Sequence, residues 1–134
     1  MAENQMRTDS GPSPVPPITF HLTPLAVWKA QSGLDTYIPE PFEHERFIHC
    51  TDGEERVIDV GNRYYTSDPR PFCLLEIERS RLVAPVVYED PERVYPHIYG
   101  PLNTDAVRAV RSVGRDGNGR FVGLGDFLTS SCAE

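Results

Sequence analysis

Residues 18 to 23 alternate apolar and polar with period two, setting Ile18, Phe20 and Leu22 against Thr19, His21 and Thr23. Strand side chains alternate faces, so the pattern predicts a strand with one core face and one polar face. Thr23 followed by Pro24 reads as a helix N-cap with proline at the first helical position. The short helix this opens carries Leu25 and Trp28 and is expected to end near Gly33. Residues 34 to 46, with Pro39 and Pro41 and little periodicity, read as a long loop, a kind of segment that often carries function.

A second strand is expected over residues 46 to 51. Thr51-Asp52-Gly53-Glu54 then has capping-box spacing, and Val57, Ile58, Val60, Tyr64 and Tyr65 give the helix behind it an apolar stripe. Residues 72 to 77 are nearly all apolar, as in a central strand covered on both faces. Strands are also expected over residues 83 to 88 and 94 to 99, parted by a turn at Glu89-Asp90-Pro91. Residues 106 to 113 are ambiguous, because Val107, Val110 and Val113 suit a helix by spacing and a strand by β-branching. Asp116-Gly117-Asn118-Gly119 is a tight-turn signal with a return strand over residues 120 to 124. Two short helices among six or seven strands predict an α+β domain rather than alternating βαβ units. Its expected extent is residues 18 to 127, between a flexible, proline-rich arm (1 to 17) and a tail (128 to 134).

Composition narrows the function classes. A chain of 134 residues suits one domain, and 25% charged with 39% hydrophobic residues is a globular balance. The net charge of −7 opposes an extended DNA or RNA groove but leaves room for a small ligand in a local pocket. No stretch has the apolar length of a bilayer span, and the first residues lack the basic and apolar regions of a secretory signal. Cys50, Cys73 and Cys132 show no metal-type spacing, so a reducing, cytoplasmic setting is expected.

The chemistry rests on histidines. Of four, His21, His49 and His97 fall inside expected strands, and His44 lies in the loop as a solvated residue. Thr19, His21 and Thr23 share one face; so do Phe47, His49 and Thr51, and so do Tyr95, His97 and Tyr99. Were the strands neighbours, the three rings would line one polar, aromatic pocket, able to do acid–base work or to hold a ribose. Each histidine also has a purely structural alternative. His49 and Cys50 cannot form a thiol–imidazole dyad, because consecutive strand residues point apart. A three-histidine zinc site would need His21, His49 and His97 to converge, but no ligand pair sits at close metal-site spacing, and no metal is expected. Tyr99-Gly100-Pro101 makes a sharp strand exit that could present a phenol at the pocket rim. The helix start after Thr51 could favour an anion near His49.

Several motifs together resemble one bacterial family. They are His21-Leu22-Thr23-Pro24-Leu25 with Trp28, Phe47-Ile48-His49-Cys50-Thr51, Asn62-Arg63-Tyr64-Tyr65, Leu74-Leu75-Glu76-Ile77, and Tyr95-Pro96-His97-Ile98-Tyr99-Gly100-Pro101-Leu102. From about Ile18 to Leu124 the chain resembles the family called domain of unknown function 952. The resemblance implies a small ADP-ribosyltransferase-like fold, a split antiparallel or mixed sheet with two short helices. In that wider fold His21 looks like the first-strand histidine that meets a ribose or nicotinamide, and His49 like the second-strand histidine of tRNA 2′-phosphotransferases. Leu22 and Thr23 stand where those phosphotransferases have arginines, and no glutamate is evident beside His97 and Tyr99.

The leading expectation is therefore a protein that binds or transforms NAD or a related nucleotide, as an NAD-linked transferase or glycohydrolase-like enzyme. His21, His49, His97 and Tyr99 would be catalytic; His21, Thr23, Thr51 and Tyr64 would contact the ligand, with Tyr64 or Tyr99 stacking on a ring. Two alternatives stand beside it: a non-catalytic module binding the same ligand, and an acid–base enzyme of isomerase, cyclase or lyase type on an unrelated metabolite.

Overall fold

A computed structural model describes residues 15–128 and gives the α+β class expected. Its centre is a four-stranded antiparallel sheet ordered β1 (Ile18–Pro24), β4 (Phe72–Glu78), β8 (Val107–Arg115) and β9 (Phe121–Leu128). The register sets His21 opposite Leu75 and Leu22 opposite Leu74. Both faces of this sheet are covered. Phe20, Leu22, Phe72 and Leu74 pack with Phe121 against Val57 of α3 (Glu54–Tyr64). On the other face, Cys73, Leu75 and Ile77 meet Trp28 of α1 (Leu25–Gln31), Tyr37, Ile48, Ile98 and Leu102.

That second cover is built from two smaller antiparallel sheets. One pairs β2 (Thr36–Tyr37) with β7 (Leu102–Asn103). The other is ordered β3 (Ile48–His49), β6 (Pro96–Ile98) and β5 (Val86–Tyr88). The segment after β3 stitches the layers together: Phe20 and Thr51 exchange backbone hydrogen bonds of 2.9 and 2.8 Å. Among the described residues, no helix is long and apolar enough to cross a membrane.

Several expectations are corrected. Residues 34 to 46 are not one structureless loop; they contain β2 and the one-turn helix α2 (Phe42–Glu45), closed by Arg46 in the left-handed region at φ 68°. Among the described residues there are nine strands and three α-helices, because pairs of only two or three residues carry too little pattern to be read. Thr23 does not cap α1: Pro24 takes that position without a side-chain cap, and the Thr23 hydroxyl serves the core instead. The capping box also fails, since Gly53 is the N-cap of α3 at φ 92° and Thr51 lies inside the seam. The valine-rich stretch after Ala106 is a strand, and it pairs β4. Leu128, assigned to the tail, ends β9 opposite Val110. Residues 1–14 of the expected arm and 129–134 of the expected tail, Cys132 included, lie outside the described residues.

Candidate functional site

The alternation of β1 places Thr19, His21 and Thr23 on one face as predicted, but that face is interior. His21 is 5% exposed, and both its ring nitrogens have protein partners. Nδ1 lies 2.7 Å from the backbone carbonyl of His49, and Nε2 lies 2.9 Å from the Tyr37 hydroxyl. A carbonyl can only accept, so the neutral ring carries its proton on Nδ1 and presents Nε2 as an acceptor. The Tyr37 proton then goes to Nε2, and the Thr23 hydroxyl, 2.7 Å away, donates into the phenol. Burial lowers the His21 pKa from 6.5 to about 4, keeping the ring neutral.

His49 and His97 are arranged differently. Their strands pair in the register His49 opposite His97, with Ile48 and Ile98 pointing inward, so both imidazoles stand on the outer face of the three-stranded sheet. Their ring centroids are 5.0 Å apart, edge to face. Phe47 joins them, stacked on His97 at 4.1 Å and edge-on to His49 at 4.9 Å. Each histidine has a carboxylate. His49 Nε2 donates to Glu45 Oε1 at 2.9 Å, and His97 Nδ1 donates to Glu89 Oε1 at 2.7 Å. The Tyr99 hydroxyl also donates to Glu89 Oε1 at 2.7 Å. That hydroxyl, and then His97, hold the Glu89 carboxyl below the usual range, while the Glu89 bond pushes the Tyr99 phenol up.

Two carboxylate–imidazole pairs therefore face each other across an aromatic platform. His49 keeps Nδ1, and His97 keeps Nε2, free of protein hydrogen bonds among the described residues. A neutral ring held this way offers a lone pair at the free nitrogen, and a protonated ring offers a proton there. Glu45 and Glu89 were missed by sequence reading. The carboxylate not evident beside His97 in the sequence comes from the turn eight residues earlier, and Glu45 comes from α2. Glu45 lies only four residues before His49, but with the stretch up to Arg46 expected to be a loop that spacing pointed to no pairing.

The three histidines thus do not share one chamber; His49 belongs to two places. His49 also lines a narrow cleft of about 80 Å³ with His21, Thr23, Glu40, Tyr65 and Arg70. Tyr64 is 66% exposed on the far end of α3 and does not line this cleft; its neighbour Tyr65 does. Thr51 is buried in the seam, where its amide and carbonyl are bonded to Phe20. A larger open groove of about 460 Å³ is lined by Asp35, Val83, Asn103 and Asp105 and contains no histidine. Among the described residues, no group of three metal-ligating side chains is gathered. Cys50 and Cys73 are buried free thiols, raised by burial and far from thiolate chemistry.

The model of a protein family described as a protein of unknown function, DUF952, matches residues 22–110. The chain belongs to the DUF952 family. That match contains β1 from Leu22, the Glu45–His49 and Glu89–His97 pairs, and Tyr99, so the whole outer platform of this DUF952 protein lies within it. Two crystal structures, of protein CC0527 from Caulobacter crescentus and of a double methionine mutant of it, share the fold. Each is 18% identical and covers 78% of this chain and 93% of its own, with TM-scores of 0.66 and 0.65. No curated protein matches.

Proposed function

We propose that this DUF952 protein performs general acid–base chemistry on a small polar metabolite at the open face of His49 and His97. The observation that carries the reading is the mutual placement of the two imidazoles, 5.0 Å apart, each tied to a glutamate through one nitrogen. One ring, neutral, takes a proton from the substrate through its free nitrogen. The other, protonated, returns one to a second atom, so protons balance over the reaction. Such a transfer fits an isomerase, cyclase or lyase. Phe47 and Tyr99 supply an apolar wall against which the substrate lies, and Glu45 and Glu89 orient the rings.

The test is deuterium wash-in. The protein is incubated in D2O with a panel of small keto and hydroxy metabolites, and exchange is followed by proton NMR. Wash-in that disappears in both His49→Ala and His97→Ala supports the reading. No wash-in for any compound, or wash-in indifferent to both variants, overturns it.

A second reading, a site for NAD or a related nucleotide, is favoured by the cleft that joins His21, Thr23 and His49 to an aromatic ring and an arginine. It would fit the ADP-ribosyltransferase-like fold that the resemblance implies. It stands second because His21 has no free nitrogen and the cleft is far smaller than the roughly 300–1,000 Å³ of sites for drug-sized ligands. The RNA chemistry of tRNA 2′-phosphotransferases has less support still, with no arginine after His21 and a charge of −7. Melting scans with NAD, ADP-ribose and nicotinamide separate the two. A stabilising shift lost in His49→Ala but kept in His97→Ala supports the nucleotide, because only His49 touches both places. Buried free thiols suit a reducing cytoplasm for either activity.

A further inference from the structure

Among the residues lining the cleft, Arg70 and Glu40 form an ion pair of unusual form. Arg70 Nη1 and Nη2 donate to Glu40 Oε2 and Oε1 at 3.0 and 2.9 Å, a two-pronged grip on an exposed carboxylate. From behind, Asp68 holds the same guanidinium through Nε at 3.0 Å and Nη2 at 2.7 Å. The backbone N–H of Arg70 adds a 3.1 Å bond to Asp68 Oδ1. Asp68 therefore fixes the fork in place, while the Nη1–Nη2 edge is held by Glu40, itself a lining residue of the cleft. Arg70 is the sole arginine or lysine among the cleft's lining residues, which otherwise include the acids Glu40, Glu45 and Asp68.

We propose that Arg70 is the anion-recognising group of this cleft, and that the Glu40 carboxylate occupies its fork as an internal stand-in for a ligand's oxyanion. The ligand chemistry is a small group presenting two oxygens side by side, a carboxylate or a phosphate monoester, since that is what a guanidinium edge grips in two places. Displacement is inexpensive. Glu40 is 56% exposed and Arg70 42%, and an exposed ion pair contributes little to stability. Asp68 does not need to move, so the fork stays aimed while its occupant changes. A ligand seated there reaches past Pro39 and Pro41 towards Tyr65 and the exposed ring of His49. The cleft would thus hold the anionic end of a molecule whose other end meets the histidine.

The test uses the full chain, with inorganic phosphate and acetate as probes, titrated by ¹H–¹⁵N NMR on the Arg70 Nε–H and the amides of residues 38–45. Binding of either probe in the wild type is expected to tighten roughly 2- to 5-fold in Glu40→Ala, the range an exposed pair is worth. Glu40→Gln should tighten it in the same direction, and Arg70→Gln should abolish it while the thermal transition persists. Whichever probe binds tighter identifies the oxyanion. Failure of both probes to perturb Arg70 in Glu40→Ala, or binding unchanged in Arg70→Gln, overturns the proposal. The readout involves no turnover, so an intact anion site on an inactive protein, or the reverse, separates this inference from the acid–base reading.

Discussion

At the scale of single residues, His21 decides the most. Its folded pKa is depressed to about 4 from 6.5 by burial, so in the native state it stays neutral where the unfolded chain takes up a proton. Between those values the unfolded state binds more protons, and stability must rise with pH. The contribution is fully present above pH 6.5 and is lost as pH falls towards 4, on the order of 3 kcal/mol for a shift of this size. Denaturant unfolding at pH 7 and pH 4.5 should show the loss, and His21→Gln should flatten it; an unchanged slope in that variant would show that His21 does not carry the effect. Period-two alternation placed His21 correctly on the Thr19–Thr23 face. It could not reveal that the face is roofed, because the partners are a tyrosine 16 residues on and a carbonyl 28 residues on. Polar side chains in a strand look the same from sequence whether water or Tyr37 satisfies them.

At the scale of elements, long patterns were legible and short ones were not. Phe72–Glu78 announced a doubly covered strand by its apolar run, and burial of six consecutive residues bears that out. The helix α3 was legible too, but its stripe misled in detail. Of the expected positions only Val57 is buried, while Gly61 makes the close approach. A Cβ on Gly61 would stand 2.7 Å from Cγ of Phe121, which lies against that turn from β9. Gly61→Ala therefore pits better helix propensity, worth about 1 kcal/mol, against overpacking that costs about 1–3 kcal/mol. Overpacking should win, and the thermal midpoint should fall; trimming the ring in a Gly61→Ala/Phe121→Leu double variant should return part of the loss. A rise in midpoint for Gly61→Ala alone would mean that Phe121 yields freely. The two-residue strands β2, β3 and β7 had no such signature. They exist because Tyr37, Ile48 and Leu102 are each wholly buried against the central sheet. The Glu45 pairing with His49 was hidden with them, being the product of a one-turn helix and a left-handed Arg46.

At the scale of the whole molecule, the arrangement depends on how the central sheet is fastened to its outer layer, and that fastening runs through residues 48 to 52. Beyond the Phe20–Thr51 bridge, the amides of Cys50 and Asp52 donate to Pro96 and Val94, so one segment is bonded to strands of both layers. Asp52 closes the seam electrostatically. Its carboxylate, 7% exposed, accepts from the Tyr88 hydroxyl through Oδ2 and faces Arg79 Nη1 across 3.8 Å from Oδ1. Neither Oδ1 nor that Nη1 has a hydrogen-bond partner among the described residues, and the Arg79 side chain is only 13% exposed. A pair set this deep is not a large net source of stability, but breaking it on one side strands a buried charge. Asp52→Ala should therefore cost about 3–5 kcal/mol, and Asp52→Ala/Arg79→Met much less than the sum of its single changes. Denaturant melts of the four proteins in the cycle measure the coupling. Because His49 lies three residues before Asp52 in the same segment, the seam also governs the site: as Asp52→Ala loosens it, the NMR line widths of the His49 and His97 ring protons should broaden together. Additive losses with unaltered histidine resonances would place the fastening elsewhere, in the backbone bridge alone.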